Sequence, residues 1–146
     1  MKNVAHILRL KSDPTVHSIG PTASVFDAIK LMAEKNIGAL LIMEGETIVG
    51  MVSERDYARK IVLMGRSSKE SSVRDIMTCP VMYVGPQQST EECMALMTEK
   101  RLRHLPVLDG GKLIGLISIG DLVKDIISEQ NFLIEQLQCY ITRERG

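Results

Sequence analysis

Gly115-Leu116-Ile117-Ser118-Ile119-Gly120-Asp121 is the stretch from which the fold is read. A short β-branched apolar run, Leu113 to Ile117, is bounded by Gly110-Gly111 on one side and a hydroxyl-x-x-carboxylate on the other. That pattern predicts a buried strand running directly into a helix that starts near Ser118. The same pattern stands earlier as Gly50-Met51-Val52-Ser53-Glu54-Arg55-Asp56. The chain therefore holds two strand-to-helix corners, and the rest of it is read outward from them.

An offset of 65 residues lays 16–62 on 81–127 without a gap. Val16/Val81, Gly20/Gly85, Pro21/Pro86, Ser24/Ser89, Met32/Met97, Leu40/Leu105, Gly50/Gly115, Ser53/Ser118 and Asp56/Asp121 are among the identical pairs. Internal self-similarity of this kind outranks local propensity in deciding architecture. Each copy reads as a β-α-β-β-α unit. Its first strand is Val16 to Ile19, closed by Gly20-Pro21. Its first helix opens at Ser24 with Asp27 three residues on, or at Ser89 with Glu92. A second strand covers Gly38 to Met43, or His104 to Leu108. Turns at Glu44-Gly45-Glu46 and Asp109-Gly110-Gly111 lead to a third strand, Ile48 to Val52 or Leu113 to Ile117. The second helix then runs from Ser53 or Ser118.

Upstream, Val4-Ala5-His6-Ile7-Leu8 resembles Val73-Arg74-Asp75-Ile76-Met77. Residues 63–78 form the connector, in which Gly65 to Ser72 reads as polar and mobile. The expected divisions are 1–65 for repeat 1 with its N-terminal segment, 66–127 for repeat 2 with the connector, and 128–146 for a C-terminal helix extension. One repeat cannot cover both faces of its sheet, so the copies are expected to pack with pseudo-twofold symmetry. In the last helix Leu122, Ile126, Leu133, Leu137 and Ile141 form an apolar stripe that outlasts the repeat. Such a stripe packs on a second chain, as a homodimer, or folds back on its own core.

Composition narrows the function classes. Eighteen basic and eighteen acidic residues leave no net charge, which disfavours nucleic acid as a partner. With no Trp, three Tyr and two Phe, base stacking is not a binding strategy here. No apolar run has the length of a membrane span, and residues 1–6 carry no apolar signal region, so a cytoplasmic protein is expected. Cys79, Cys93 and Cys139 are odd in number and widely spaced, without a metal or redox pattern. Cys93 falls on an apolar helix position and reads as core. His6, His17 and His104 have no metal-ligand spacing, and no nucleophile–base pair is evident, so neither a metal site nor an enzyme is expected.

The gapless repeat, the Gly-x-x-Ser-x-x-Asp corners and Arg103-His104-Leu105-Pro106-Val107 resemble a tandem pair of cystathionine-β-synthase-type (CBS) domains, a Bateman module, of the stand-alone two-repeat type. The resemblance spans about residues 4–130 and implies an α/β chain of α+β type. It also implies two inter-repeat clefts for adenosine compounds: AMP, ADP, ATP, S-adenosylmethionine or NAD(H).

The chemistry of the corners suits that ligand class. A carboxylate can accept from both hydroxyls of a ribose cis-diol. Asp56 and Asp121 are the candidates, with Ser53 and Ser118 adding hydroxyls at helix starts that favour phosphate. Gly120, beside Ile119, permits close backbone approach. The alternative is that Ser-x-x-Asp only caps a helix. The resemblance places Arg103 and His104 on phosphate; otherwise they are a surface charge and a half-buried strand residue. It sets Gly38 and Ala39 against the base with Ser118 and Asp121, and groups Arg103, His104 and Pro106 with Ser53 and Asp56. Arg55 either clamps phosphate or pairs with Glu54 or Asp27. His17 and Met82, at the first strands, are further candidates. The leading expectation is a nucleotide-sensing regulatory module that changes inter-repeat or dimer geometry on binding; the alternative is an adaptor dimer with unoccupied clefts.

Overall fold

The structure is a computed structural model that describes residues 2–11 and 13–145, with side chains as far as Ile141. Met1 and Ser12 of the expected N-terminal segment and Gly146 of the expected C-terminal extension lie outside the described residues. The elements follow the order α1 (Val4–Leu10), β1 (Ser18–Ile19), α2 (Val25–Lys35), β2 (Ala39–Glu44), β3 (Thr47–Ser53) and α3 (Glu54–Tyr57). They continue with α4 (Thr90–Lys100), β4 (His104–Asp109), β5 (Lys112–Ser118) and α5 (Ile119–Arg145).

Two compact units result. One spans Thr15–Met82; the other joins the segment up to Pro14 to everything from Tyr83 onward. The sequence repeats and the packing units are thus offset. The segment before each first strand packs with the repeat that it does not precede in the chain.

In the Thr15–Met82 unit, β2 pairs antiparallel with β3 and parallel with β1. Ser24 caps α2, its hydroxyl accepting from the Asp27 N–H at 3.0 Å, as the Ser-x-x-Asp pattern predicts. Apolar residues at Val25, Ala28 and Met32 recur at helical spacing and are buried with Leu40, Ile42, Val52 and Ile61. α2 ends at Asn36 in the left-handed region, a conformation that asparagine tolerates better than most residues. Gly45, at φ +65°, makes the hairpin turn between β2 and β3.

The second unit repeats this plan. Ser89 and Glu92 form a reciprocal cap on α4, and β4 pairs with β5 in the register of the first hairpin. Val4, Ile7, Val84, Cys93, Met97, Leu105, Val107, Ile117 and Leu122 form its core. Cys93 is there as expected, and burial pushes its thiol up to about 11.

Gly50 and Gly115 explain how the offset segments dock. A Cβ on Gly115 would lie 2.6 Å from Leu8 Cδ2, and one on Gly50 would collide with Met77 Sδ. Each glycine opens a hole in the sheet face that an apolar side chain from the docked segment fills. The same segments satisfy helix starts: Lys2 O accepts from Thr90 N at 3.3 Å, and Ser71 O from Val25 N at 2.8 Å.

Three expectations are corrected. The first strands are shorter than predicted. β1 holds two residues, and residues 81–84 contribute only a single parallel bridge, Val84 to Val107. Both approaches carry a proline, Pro14 or Pro80, and each strand has one neighbour at most, so little ladder can form. The connector expected to be mobile is tied down. Ser68 O accepts from Phe26 N at 2.8 Å, Ser72 Oγ donates to Pro21 O at 2.8 Å, and the Lys69 ammonium sits 5.1 Å from the Phe26 ring centre. The helix after Ser53 is also brief, passing from α3 into a π-turn at Ala58–Val62.

α5 is the longest element. Leu122 is buried in its first turns, but Phe132, Leu133, Ile134, Leu137, Tyr140 and Ile141 are all exposed. No helix among the described residues is long and apolar enough to cross a membrane.

Candidate functional site

Both corners form reciprocal caps. Ser118 N–H donates to Asp121 Oδ2 at 2.8 Å, and Asp121 N–H donates back to Ser118 Oγ at 3.1 Å. In the other unit Ser53 N–H and Oγ reach Asp56 Oδ2 at 3.0 and 3.1 Å, and Asp56 N–H meets Ser53 Oγ at 3.2 Å. The capping alternative is therefore realised at both places. It engages Oδ2 of each carboxylate, so capping and ligand binding can share the residue.

The hairpins deliver their first residues to these corners. His104 is the ladder partner of Ser118, and Ala39 is that of Ser53. Backbone bonds lock the join, Ile119 N to Arg103 O at 2.8 Å and Glu54 N to Gly38 O at 3.1 Å. Arg103 and His104 thus stand beside Ser118 and Asp121, and Gly38 and Ala39 beside Ser53 and Asp56. Pro106 is buried opposite Leu116, further along the ladder, with its carbonyl accepting from Val84 N at 3.1 Å.

The other candidates are more peripheral. His17 precedes β1, its carbonyl accepting from Leu41 N at 3.4 Å. Met82 lies outside any strand and is exposed. Arg55 is exposed, and among the described residues it forms neither the ion pair with Glu54 nor the one with Asp27. Ile119 is exposed at the start of α5. At Gly120 a Cβ would meet Ser118 Oγ at 3.5 Å and nothing else among the described residues, which do not require glycine there.

Charged residues that the sequence pattern did not single out complete the picture. Lys11 Nζ is 3.2 Å from Asp121 Oδ2 and donates to Leu116 O at 2.7 Å. Lys60 Nζ is 3.5 Å from Asp56 Oδ1 and donates to Ile76 O at 2.9 Å. Asp125 is buried one turn beyond Asp121, with Lys2 Nζ at 3.2 Å and His6 Nε2 at 3.8 Å. A cleft of about 330 Å³ follows this seam between α1 and α5, lined by Ile7, Leu10, Lys11, Asp121, Asp125 and Ser128 among others. Lys11 had no signal, because the gapless repeat begins after it. Lys60 and Asp125 align with each other, and that charge reversal was the available signal. No group of three or more His, Cys, Asp or Glu among the described residues is arranged to hold a metal ion.

His104 is held below its ordinary pKa of 6.5, first by burial, with Lys11 and Arg103 adding to the effect and Asp121 opposing it. The folded state therefore takes up the proton less readily than the unfolded chain. Stability contributed by the neutral ring is complete above pH 6.5 and falls as the pH drops through the depressed folded value. Thermal melts at successively lower pH are expected to show a smaller decline for His104→Gln than for the wild type; parallel curves would refute this.

The CBS domain family matches residues 4–63 and 73–128. A protein with CBS domains from Burkholderia ambifaria has 63% sequence identity and a TM-score of 0.86, over 88% of this chain and 96% of that one. The mitochondrial CBS domain-containing protein CBSX3 of Arabidopsis thaliana is 41% identical over 81% of this chain. The chain spans 60% of that relative's length. The structure of CBSX2 in complex with AMP aligns at 28% identity with a TM-score of 0.72, over 89% of this chain and 99% of that one.

Proposed function

The chain belongs to the CBS domain family, and on that premise we propose that it is a regulatory module that binds an adenosine nucleotide, AMP, ATP or NAD(H), at its two Ser-x-x-Asp corners. The observation that carries this reading is the orientation of Asp121 and Asp56. In each, the serine N–H holds Oδ2, so the carboxylate is fixed in plane before a ribose diol arrives. Arg103 and His104 supply phosphate contacts, with Arg55 as a second guanidinium. Gly38 and Ala39 are small enough to lie against a base, and Ile119, Gly120, His17, Met82 and Pro106 are assigned peripheral contacts. The AMP complex of a structural neighbour supports the ligand class. On this reading the protein is cytoplasmic and performs no chemistry of its own. Bound nucleotide shifts a conformational balance by its difference in affinity between states.

Titration calorimetry of the purified protein with AMP, ATP and NAD(H) tests the proposal. Saturable heat with at least one, together with a raised melting temperature, is expected. Silence with all of them leaves the adaptor reading.

The exposed face of α5 favours self-association as part of this function. Leu133, Leu137 and Ile141 continue the spacing begun at the buried Leu122, on a helix that extends beyond its own repeat. A homodimer paired through this face is the proposed assembly. Light scattering after size exclusion should report a dimer for the wild type and a monomer for Leu133→Glu/Leu137→Glu, substitutions at exposed positions that leave each core untouched. An unchanged mass for the double variant would remove α5 from the interface.

A further inference from the structure

The two corners differ in where their counter-charge comes from. At the offset that aligns the repeats, Lys60 falls on Asp125. One turn after Asp56 therefore stands a lysine on the same helical segment, 3.5 Å from the carboxylate. One turn after Asp121 stands a second carboxylate, Asp125, whose side chain is 3% exposed. Lys2 meets its Oδ1, and its Oδ2 has no hydrogen-bond partner among the described residues. α5 thus adds negative charge near Asp121, at a site where burial makes charge expensive.

The compensating cation comes from another element. Lys11, at the C-terminal cap of α1, places Nζ 3.2 Å from Asp121 Oδ2 while donating to Leu116 O at 2.7 Å. It is held from both sides, and it shares Oδ2 with the Ser118 N–H. The Ser118 N–H donates to that oxygen and the Lys11 ammonium pairs with it, so Oδ2 is engaged by the fold and Oδ1 is left for an incoming hydroxyl pair.

We propose that Lys11 is the positioning residue for Asp121, so that the Asp121 corner depends on α1 while the Asp56 corner carries its cation on its own helical segment. The proposal rests on the nucleotide-binding reading of these corners. Lys11 acts through the carboxylate and therefore through the ribose diol, not through phosphate.

The test is calorimetry of the wild type, Lys11→Met, Lys11→Gln and Lys11→Arg with AMP and with 2′,3′-dideoxy-AMP, with melting temperatures recorded alongside. Lys11→Met and Lys11→Gln should each weaken AMP binding about tenfold at one class of site, the effect of one charge-assisted contact. Lys11→Arg should restore most of it. With dideoxy-AMP, which has no diol for Asp121 to grip, wild type and variants should bind alike. Unchanged AMP affinity in both neutral variants overturns the proposal. So does an equal loss with the dideoxy ligand, which would mark Lys11 as a phosphate contact or a purely structural residue. A wild type that binds none of AMP, ATP and NAD(H) overturns the nucleotide reading itself, an outcome distinct from a wild type that binds while the variants match it.

Discussion

Asp121→Ala is expected to weaken AMP binding at one of the two sites by about a hundredfold, the loss of two charge-assisted hydrogen bonds to a ribose diol. Calorimetry on the variant and the wild type measures it. The substitution also removes the acceptor for the Ser118 N–H, 2.8 Å away, at the first turn of α5. Loss of that cap contact costs about 1 kcal/mol of stability. The two effects separate cleanly: circular dichroism and melting report the cap, and affinity reports the ligand. Asp121→Asn keeps the side-chain shape and one oxygen while removing the charge, and should fall between. An Asp121→Ala protein that keeps the wild-type number of AMP sites, each within a factor of about two in affinity, would show that the carboxylate serves the helix alone.

Gly115→Val is expected to destabilise the unit containing Tyr83 onward by about 1–3 kcal/mol. The glycine is buried in β5, and the first carbon added there would stand 2.6 Å from Leu8 Cδ2 and 3.1 Å from Cδ1. Leu8 can swing its side-chain end away from a single methyl. It cannot clear both γ-carbons of valine without α1 lifting from β5. A lifted α1 would also withdraw Lys11 from Asp121, so AMP affinity should fall with the melting temperature. Leu8→Ala in the Gly115→Val background should recover part of both. A Gly115→Val protein that melts with the wild type would mean that Leu8 and α1 are not held by this contact.

The contrast between these two positions shows what a chain reveals by inspection. Asp121 was legible because Ser-x-x-Asp carries its geometry with it: a hydroxyl and a carboxylate three residues apart meet wherever a helix starts. The hairpins were legible for a similar reason, since Gly45 and Gly110 mark backbone that turns with positive φ. The role of Gly115 was not legible. Its reason for being glycine is Leu8, more than a hundred residues away in the chain. Lys11 was hidden in the same way, because its partners Leu116 and Asp121 are distant in sequence and no repeat position signals the pairing. The first strands are shorter than the sequence predicts because β-branched residues raise strand propensity, whereas ladder length depends on how many neighbours offer hydrogen bonds.

By itself the sequence determined that this protein is two copies of one α+β unit, where the helices after Ser24, Ser53, Ser89 and Ser118 begin, and that positions such as Val25, Ala28, Met32, Cys93 and Met97 face a core. Those features follow from spacing within a few residues, or from likeness between copies, and both can be read along a line. Only the tertiary structure decided which segment docks on which sheet, and which cation stands beside each corner carboxylate. Those choices depend on holes and charges that come together when distant parts of the chain are brought within a few ångströms, where burial makes an unfilled gap or an unpaired charge costly.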